Sequence, residues 1–430
     1  MSKDMLFFCC NPGGRRYNEA RENLMRWVME KKQAIRYFAL VQALYYASTG
    51  LWNYLNIYLR EIGFTPRQLG NVSAVGILAA MIVLPLMGML ADKIRSPKKL
   101  FTWFLAMMLP LLLLYPAMDL AGVTWLLPYM VLTVAMVICT RVPAAFLESW
   151  NGMEMERLGV SYGVIRRFGS LGFVIICLLA SAVVGSVLPT WSCCVIMAVV
   201  GLPLLWLVRK PGAETAAAQV PKKEKFSGKE VLSLVFGNYY FLIFLLLHLG
   251  FCAFQGTVNL CLSYLMDYAG APNAYVGILS GYRAAVEIGA MFWLSSTKCK
   301  PPYWVILCIA CLLVAAEHLI YPWMHSFPAL VAVSTLTGIG GGLYFGISAN
   351  FVLQTVDNRA ANTAISVQAV INGAAGIVGT ALGGMIIDAH GVTALTSGVG
   401  VLTLFTTAVF AAGILLGRRV WKIPLRRQGI

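Results

Sequence analysis

Twelve long apolar runs occupy most of this 430-residue chain, near 35–58, 71–91, 100–118, 124–147, 163–185, 189–208, 238–265, 275–294, 303–321, 328–354, 364–387 and 392–417. A helix of about 20 apolar residues crosses the hydrocarbon of a bilayer, so each run is long enough to span it. Backbone polar groups cannot go unpaired in lipid, which restricts spanning segments to helices or a closed barrel. The runs are continuous rather than alternating, and this argues against a barrel. With 59% of residues hydrophobic and 12% charged, too little polar chain remains for a separate soluble enzyme domain. The expected fold class is an all-α membrane protein with twelve transmembrane helices.

The net charge is +15. In a soluble chain such a value suggests nucleic acid, but here the cations sit in alternate connectors. Lys93, Lys98, Lys99, Arg157, Lys222, Lys298 and Arg359 lie on one side, and only Arg60 and Arg67 on the other. Positive charge marks the cytoplasmic side, so both termini are expected there, in a multi-pass protein of the cell inner (plasma) membrane that binds no nucleic acid. Eight of the eleven cysteines lie inside apolar runs, which predicts no disulfide framework. Cys308 and Cys311 form a C-x-x-C without a second ligand pair, so no metal or cofactor is expected. No phosphate-binding glycine loop and no cluster of paired acids occurs, which disfavours an ATP-driven machine or an enzyme.

An internal repeat divides the chain. Tyr58-Leu59-x-Glu61 with Pro66 recurs as Tyr264-Leu265-x-Asp267 with Pro272, every match offset by 206 residues, and each copy ends the first span of its half. Two parallel repeats of six helices are a known transporter plan. The expected organisation is a basic extension (1–33), a six-helix bundle (34–208), a basic cytosolic linker (209–237), a second six-helix bundle (238–417) and a basic tail (418–430).

The connector Gly88-Met-Leu-Ala-Asp92-Lys93-Ile-Arg95 carries a glycine, an acid at a helix end and flanking cations. It resembles the loop signature of the major facilitator superfamily, although the second glycine of that signature is absent and one extra residue is present. The resemblance covers roughly residues 33–417. It implies a major facilitator fold and a conformational latch at Gly88, Asp92 and Lys93. The fifth span, Tyr162-Gly163-Val-Ile-Arg166-Arg167-Phe168-Gly169-Ser170-Leu-Gly172-Phe173, resembles the branch holding the lactose and phenylpropionate permeases. In that branch an acid precedes the arginine of this helix by eighteen residues, as Glu148 precedes Arg166 here. The resemblance implies that Glu148 and Arg166 hold the substrate.

Elementary electrostatics leads to the same two residues. A charge at the bilayer centre costs about 2.5–3.5 kcal/mol or more, so intramembrane charges pair or face a hydrated cavity. Arg141 stands two turns before Glu148 on one helix face, about 10 Å along the axis, and is expected to line the same cavity. Arg283 and Glu287, spaced i, i+4, are expected to pair locally. Glu317 and His318 lie within the ninth span where the named branch carries an arginine, and Thr337 stands where it carries a histidine. The relatives' proton pathway therefore does not transfer, and proton coupling falls to Glu287, Glu317, His318 and Arg283. Tyr45, Asn53, Gln255, Asn259 and Asn372 supply rings and amides that suit a binding cavity, as does Tyr344. His248 is expected to bond between helices.

The resulting reading is a secondary active transporter whose partners are a small-molecule substrate and a proton, at work in the lipid bilayer as a monomer. Proton-coupled uptake of a sugar, nucleoside or aromatic acid by alternating access is favoured. An antiporter or exporter is the alternative within transport, with a membrane sensor or enzyme as the different-class rival.

Overall fold

The computed structural model describes residues 15–94, 96–160, 163–209, 236–297, 301–357 and 360–422, with side chains at all of these except 15–30, 92, 254–256, 258–259 and 361–362. Most of the linker therefore lies outside the described residues. The chain folds into α1 (Arg15–Thr49), α2 (Trp52–Glu61), α3 (Pro66–Ile94), α4 (Pro97–Leu120), α5 (Leu126–Arg157), α6 (Gly163–Ser181) and α7 (Ser192–Arg209). After the linker come α8 (Tyr239–Tyr268), α9 (Val276–Ser296), α10 (Tyr303–Ile320), α11 (Phe327–Thr355) and α12 (Ala361–Arg419).

The boundaries follow from capping chemistry. Pro66 and Pro97 open α3 and α4, where a missing N–H costs nothing. Ser96 accepts the Lys99 N–H and Asn238 accepts the Phe241 N–H at 3.0 Å, capping α4 and α8. Gly122, Gly159 and Gly270, with φ of 69°, 61° and 64°, follow the ends of α4, α5 and α8 in the left-handed conformation that favours glycine. Gly391, at φ 81°, breaks α12 into two spans.

Counting α1 with α2 as one broken span and α12 as two, the helices form six spans in each half. Among the described residues, eight helices are long and apolar enough to cross a membrane by length and composition alone, and one of them, 363–419, is long enough to do so twice. The chain is already helical at Arg15, the first described residue, so the described part of the basic extension continues into the first span without a break. That span is interrupted at Gly50 and Leu51, which continuous hydropathy did not foretell.

The halves meet along α3 against α12 and α6 against α9. A Cβ on Gly70 would stand 2.3 Å from the Thr380 carbonyl oxygen, and one on Gly384 would stand 2.4 Å from that of Pro66. Only glycine permits this approach of backbone to backbone. Both contacts fall toward the face opposite the chain termini.

The same face carries the other bonds between halves. Arg60 pairs with Asp267 at 2.5 Å and lies 4.7 Å over the Tyr264 ring. The Tyr54 hydroxyl donates to the Ala274 carbonyl at 2.6 Å and accepts the Gly277 N–H at 3.1 Å. Asn53 donates to the Ser280 hydroxyl at 2.9 Å. The repeated Tyr-Leu-x-acid segments thus sit in the seal, with Arg60 of one copy held by Tyr264 and Asp267 of the other. A partly exposed ion pair is worth up to about 1 kcal/mol, or about fivefold in a population. Arg60→Asp should accordingly raise the labelling of a cysteine placed at Ala144, in the cavity wall, by an impermeant reagent added at this face. Arg60→Asp combined with Asp267→Arg should restore the low rate; unchanged labelling in Arg60→Asp would remove the pair from the seal.

Candidate functional site

A cavity of about 400 Å³ lies between the halves. Its wall is built from helical stripes. Tyr45, Thr49, Trp52 and Asn56 follow an i, i+4, i+7, i+11 pattern through the break between α1 and α2, with Tyr46 beside them. Val137, Thr140, Arg141 and Ala144 of α5 follow i, i+3, i+4, i+7, and Asn372, Gly376 and Thr380 of α12 follow i, i+4, i+8. Ser73 and Ile77 of α3 with Cys252 and Leu260 of α8 complete the wall. Both halves contribute, so a bound solute would touch each.

Several polar groups of this wall are committed to the protein. The Tyr45 hydroxyl donates to the Thr140 carbonyl at 2.5 Å, so Tyr45 offers the cavity its ring rather than its hydroxyl. The hydroxyls of Thr49, Thr140 and Thr380 donate to carbonyls one turn back in their own helices. Arg141 is the only charged residue in the wall among the described residues, and no described carboxylate pairs with it.

Glu148 and Arg166 come together as their spacing suggested. Arg166 Nε lies 3.5 Å from Glu148 Oε1, and the side chains are 39% and 45% exposed. The Tyr46 hydroxyl donates to the same Glu148 oxygen at 3.0 Å, while the Arg166 guanidinium lies 4.5 Å over the Tyr46 ring. Tyr46 thereby couples this pair to the cavity wall. A long, hydrated contact of this kind can be exchanged for a ligand at small cost.

The second half departs from the expected local pairing. Arg283 pairs not with Glu287 but with Glu317 of α10, at 3.4 Å. Glu317 is wholly buried, and it also accepts the Tyr321 hydroxyl and, at 2.5 Å, the Thr337 backbone N–H. A buried carboxylate needs a counter-ion more than a partly exposed one does, so the non-local pair prevails over the i, i+4 pair. Glu287 forms no ion pair with any described residue. Its Oε2 faces Gly341 of α11, 3.4 Å from where a Cβ would stand. His318 is buried, with Nδ1 2.8 Å from the Val314 carbonyl oxygen and its ring edge-on to Tyr321.

Other expected site residues are placed as follows. Asn53 belongs to the seal rather than the cavity wall. Tyr344 is fully buried rather than cavity-lining, stacked on Phe251 and bonded to His248 Nδ1 at 2.7 Å. Asn372 lines the cavity. The side chains of Gln255, Asn259 and Asp92 lie outside the described residues. Nothing crowds Gly88, and Lys93 is exposed, while Lys98 of the same connector is buried with its ammonium 5.8 Å from the centre of the Trp150 ring. Thr49, Trp52, Asn56, Ser73, Thr140 and Thr380 were not singled out from the sequence. Their helical spacing was the available signal, but spacing does not say which stripe faces the partner half.

The family model described as "MFS_1 like family" matches residues 35–396. No curated protein matches the chain by sequence. Among solved structures, the nucleoside transporter NupG matches with a TM-score of 0.69 at 16% identity, covering 89% of this chain and 98% of that one. A bacterial homolog to the human lysosomal transporter Spinster, in an inward-facing and unoccupied conformation, matches with a TM-score of 0.65 at 13% identity, covering 93% and 99%. The human organic anion transporter MFSD10 matches with a TM-score of 0.54 at 12% identity, covering 88% and 99%. At these identities the likeness is one of fold.

Proposed function

The chain belongs to the MFS_1 like family, and on that premise we propose that this multi-pass membrane transporter is a proton-coupled symporter that takes up a small polar or aromatic organic solute. The observation that carries the reading is the cavity of about 400 Å³ walled by both halves and sealed at one face. Its size falls in the range that encloses small organic ligands, and its aromatic rings with a few polar groups suit a sugar, nucleoside or aromatic acid. Alternating access then consists of breaking the seal at one face while closing the other around the solute. Lys and Arg bias puts the termini and the linker in the cytoplasm, so the sealed face is external and the cavity opens inward.

Glu148 and Arg166 hold the solute in this reading, releasing each other to bind it through Tyr46, which spans the two. The neutral variants Glu148→Gln and Arg166→Gln should each lower uptake into proteoliposomes about 100-fold, the order expected when a charged hydrogen bond to the solute, worth about 1.5–3 kcal/mol, is lost. Folded protein should be retained, because the pair is half exposed and contributes little to stability. The assay uses sugars, nucleosides and aromatic acids under an imposed pH gradient. Full uptake by both variants would leave the pair as a staple between α5 and α6.

A further inference from the structure

The cavity wall contains one charge and no described counter-charge. Arg141 projects from the α5 stripe that lines the cavity, and the other lining residues are neutral. Glu148, two turns away on the same helix, is engaged by Arg166 and Tyr46. The hydroxyls nearest in sequence and stripe, those of Thr140, Thr49 and Thr380, donate to their own helices. An uncompensated guanidinium within the membrane is costly, and such groups persist where they face a solute pathway. The guanidinium is a planar fork of N–H donors that matches a carboxylate with two parallel hydrogen bonds. Across the cavity, Asn372 of α12 supplies an amide from the other half.

Resting on the reading of the cavity as the substrate site, we propose that the solute is an organic carboxylate whose anionic group is held by Arg141, with Asn372 contacting the same solute from the opposite half. A ligand so placed joins the two halves, and the charge that is uncompensated in the empty cavity becomes paired in the loaded one. Arg141 is then the residue that sets specificity for charge, distinct from the Glu148–Arg166 pair.

The test compares matched carboxylate and neutral probes: glucuronate with glucose, orotate with uracil, and benzoate with benzamide. Binding is read by thermal shift of purified full-length protein, and transport by counterflow in proteoliposomes. At least one carboxylate should bind about tenfold or more tightly than its neutral match, the discrimination expected of a hydrogen-bonded charge. Arg141→Gln should abolish that preference, and Arg141→Lys should keep part of it. The ligand-free Arg141→Gln protein should melt at or above the wild-type temperature, since a site residue held without a partner costs stability, whereas a structural arginine would lower it on removal. Equal or better binding of every neutral match, an undiminished preference in Arg141→Gln, or binding of none of the probes would overturn the proposal.

Gly376→Trp separates this outcome from failure of the cavity reading. A side chain there meets only Ile77, at 3.6 Å, before entering the cavity, and Ala144→Trp serves if that variant does not fold. Neutral probes that bind and are blocked by the tryptophan would leave the cavity as the site and remove only the anion. Carboxylate binding that survives the tryptophan would remove the cavity reading as well.

Discussion

Arg283→Leu is expected to destabilise the protein by about 3–5 kcal/mol, the cost of leaving one member of a buried ion pair without the other. Arg283 is 11% exposed and Glu317 not at all. After the substitution, the Tyr321 hydroxyl and the Thr337 N–H would remain on Glu317, but no cation would. Thermal unfolding in detergent should show a large drop for Arg283→Leu and a smaller one for Arg283→Lys. Arg283→Leu with Glu317→Leu should recover much of the loss, because replacing both charges by apolar groups removes their desolvation cost together. A wild-type melting temperature in the single variant would mean that the pair holds nothing.

The span pattern was readable because lipid tolerates so few backbone solutions. The twelve apolar runs fall on the observed helices, overrunning them by only a few residues at some ends, and the Tyr-Leu-x-acid repeat marks equivalent ends of α2 and α8. Rotational phase was not readable. Asn53 and Asn56 are three residues apart, yet one bonds to Ser280 of α9 and the other lines the cavity. Hydropathy averages over the helix circumference and cannot tell these faces apart. The break at Gly50 and Leu51 was hidden for the same reason, since an interrupted apolar run and an intact one have equal hydropathy. Arg283 illustrates a different limit. The i, i+4 rule sees only one helix, whereas the burial of Glu317 depends on α9, α10 and α11 packing together. Glu148 and Arg166 met because their helices are consecutive and only a few residues apart in the chain, so their separation along the chain constrained their separation in space.

The last expected result concerns Glu287. If one proton accompanies each solute, one unit of pH gradient supports about tenfold accumulation, since a pH unit is worth about 1.36 kcal/mol. In Glu287→Gln the accumulation ratio should fall to about onefold while solute exchange across the membrane persists, because a neutral amide mimics the protonated acid and has no proton to give back. Glu287 is singled out because it forms no ion pair with any described residue while Arg283, one turn before it, is committed to Glu317. Arg283 is on its own helix and tied to Glu317, so its position relative to Glu287 is fixed. Arg166 belongs to the other half and pairs loosely with Glu148. When the halves rock against each other, Arg166 changes its distance from Glu287 while Arg283 does not. A carboxylate whose distance from a cation changes with conformation would take up a proton in one state and release it in the other, which is the requirement for coupling. Measuring counterflow and pH-driven accumulation in the same proteoliposomes separates the two functions. Persistent accumulation in Glu287→Gln would place the coupling group elsewhere, and wild-type accumulation that follows Na⁺ rather than the pH gradient would remove proton coupling altogether.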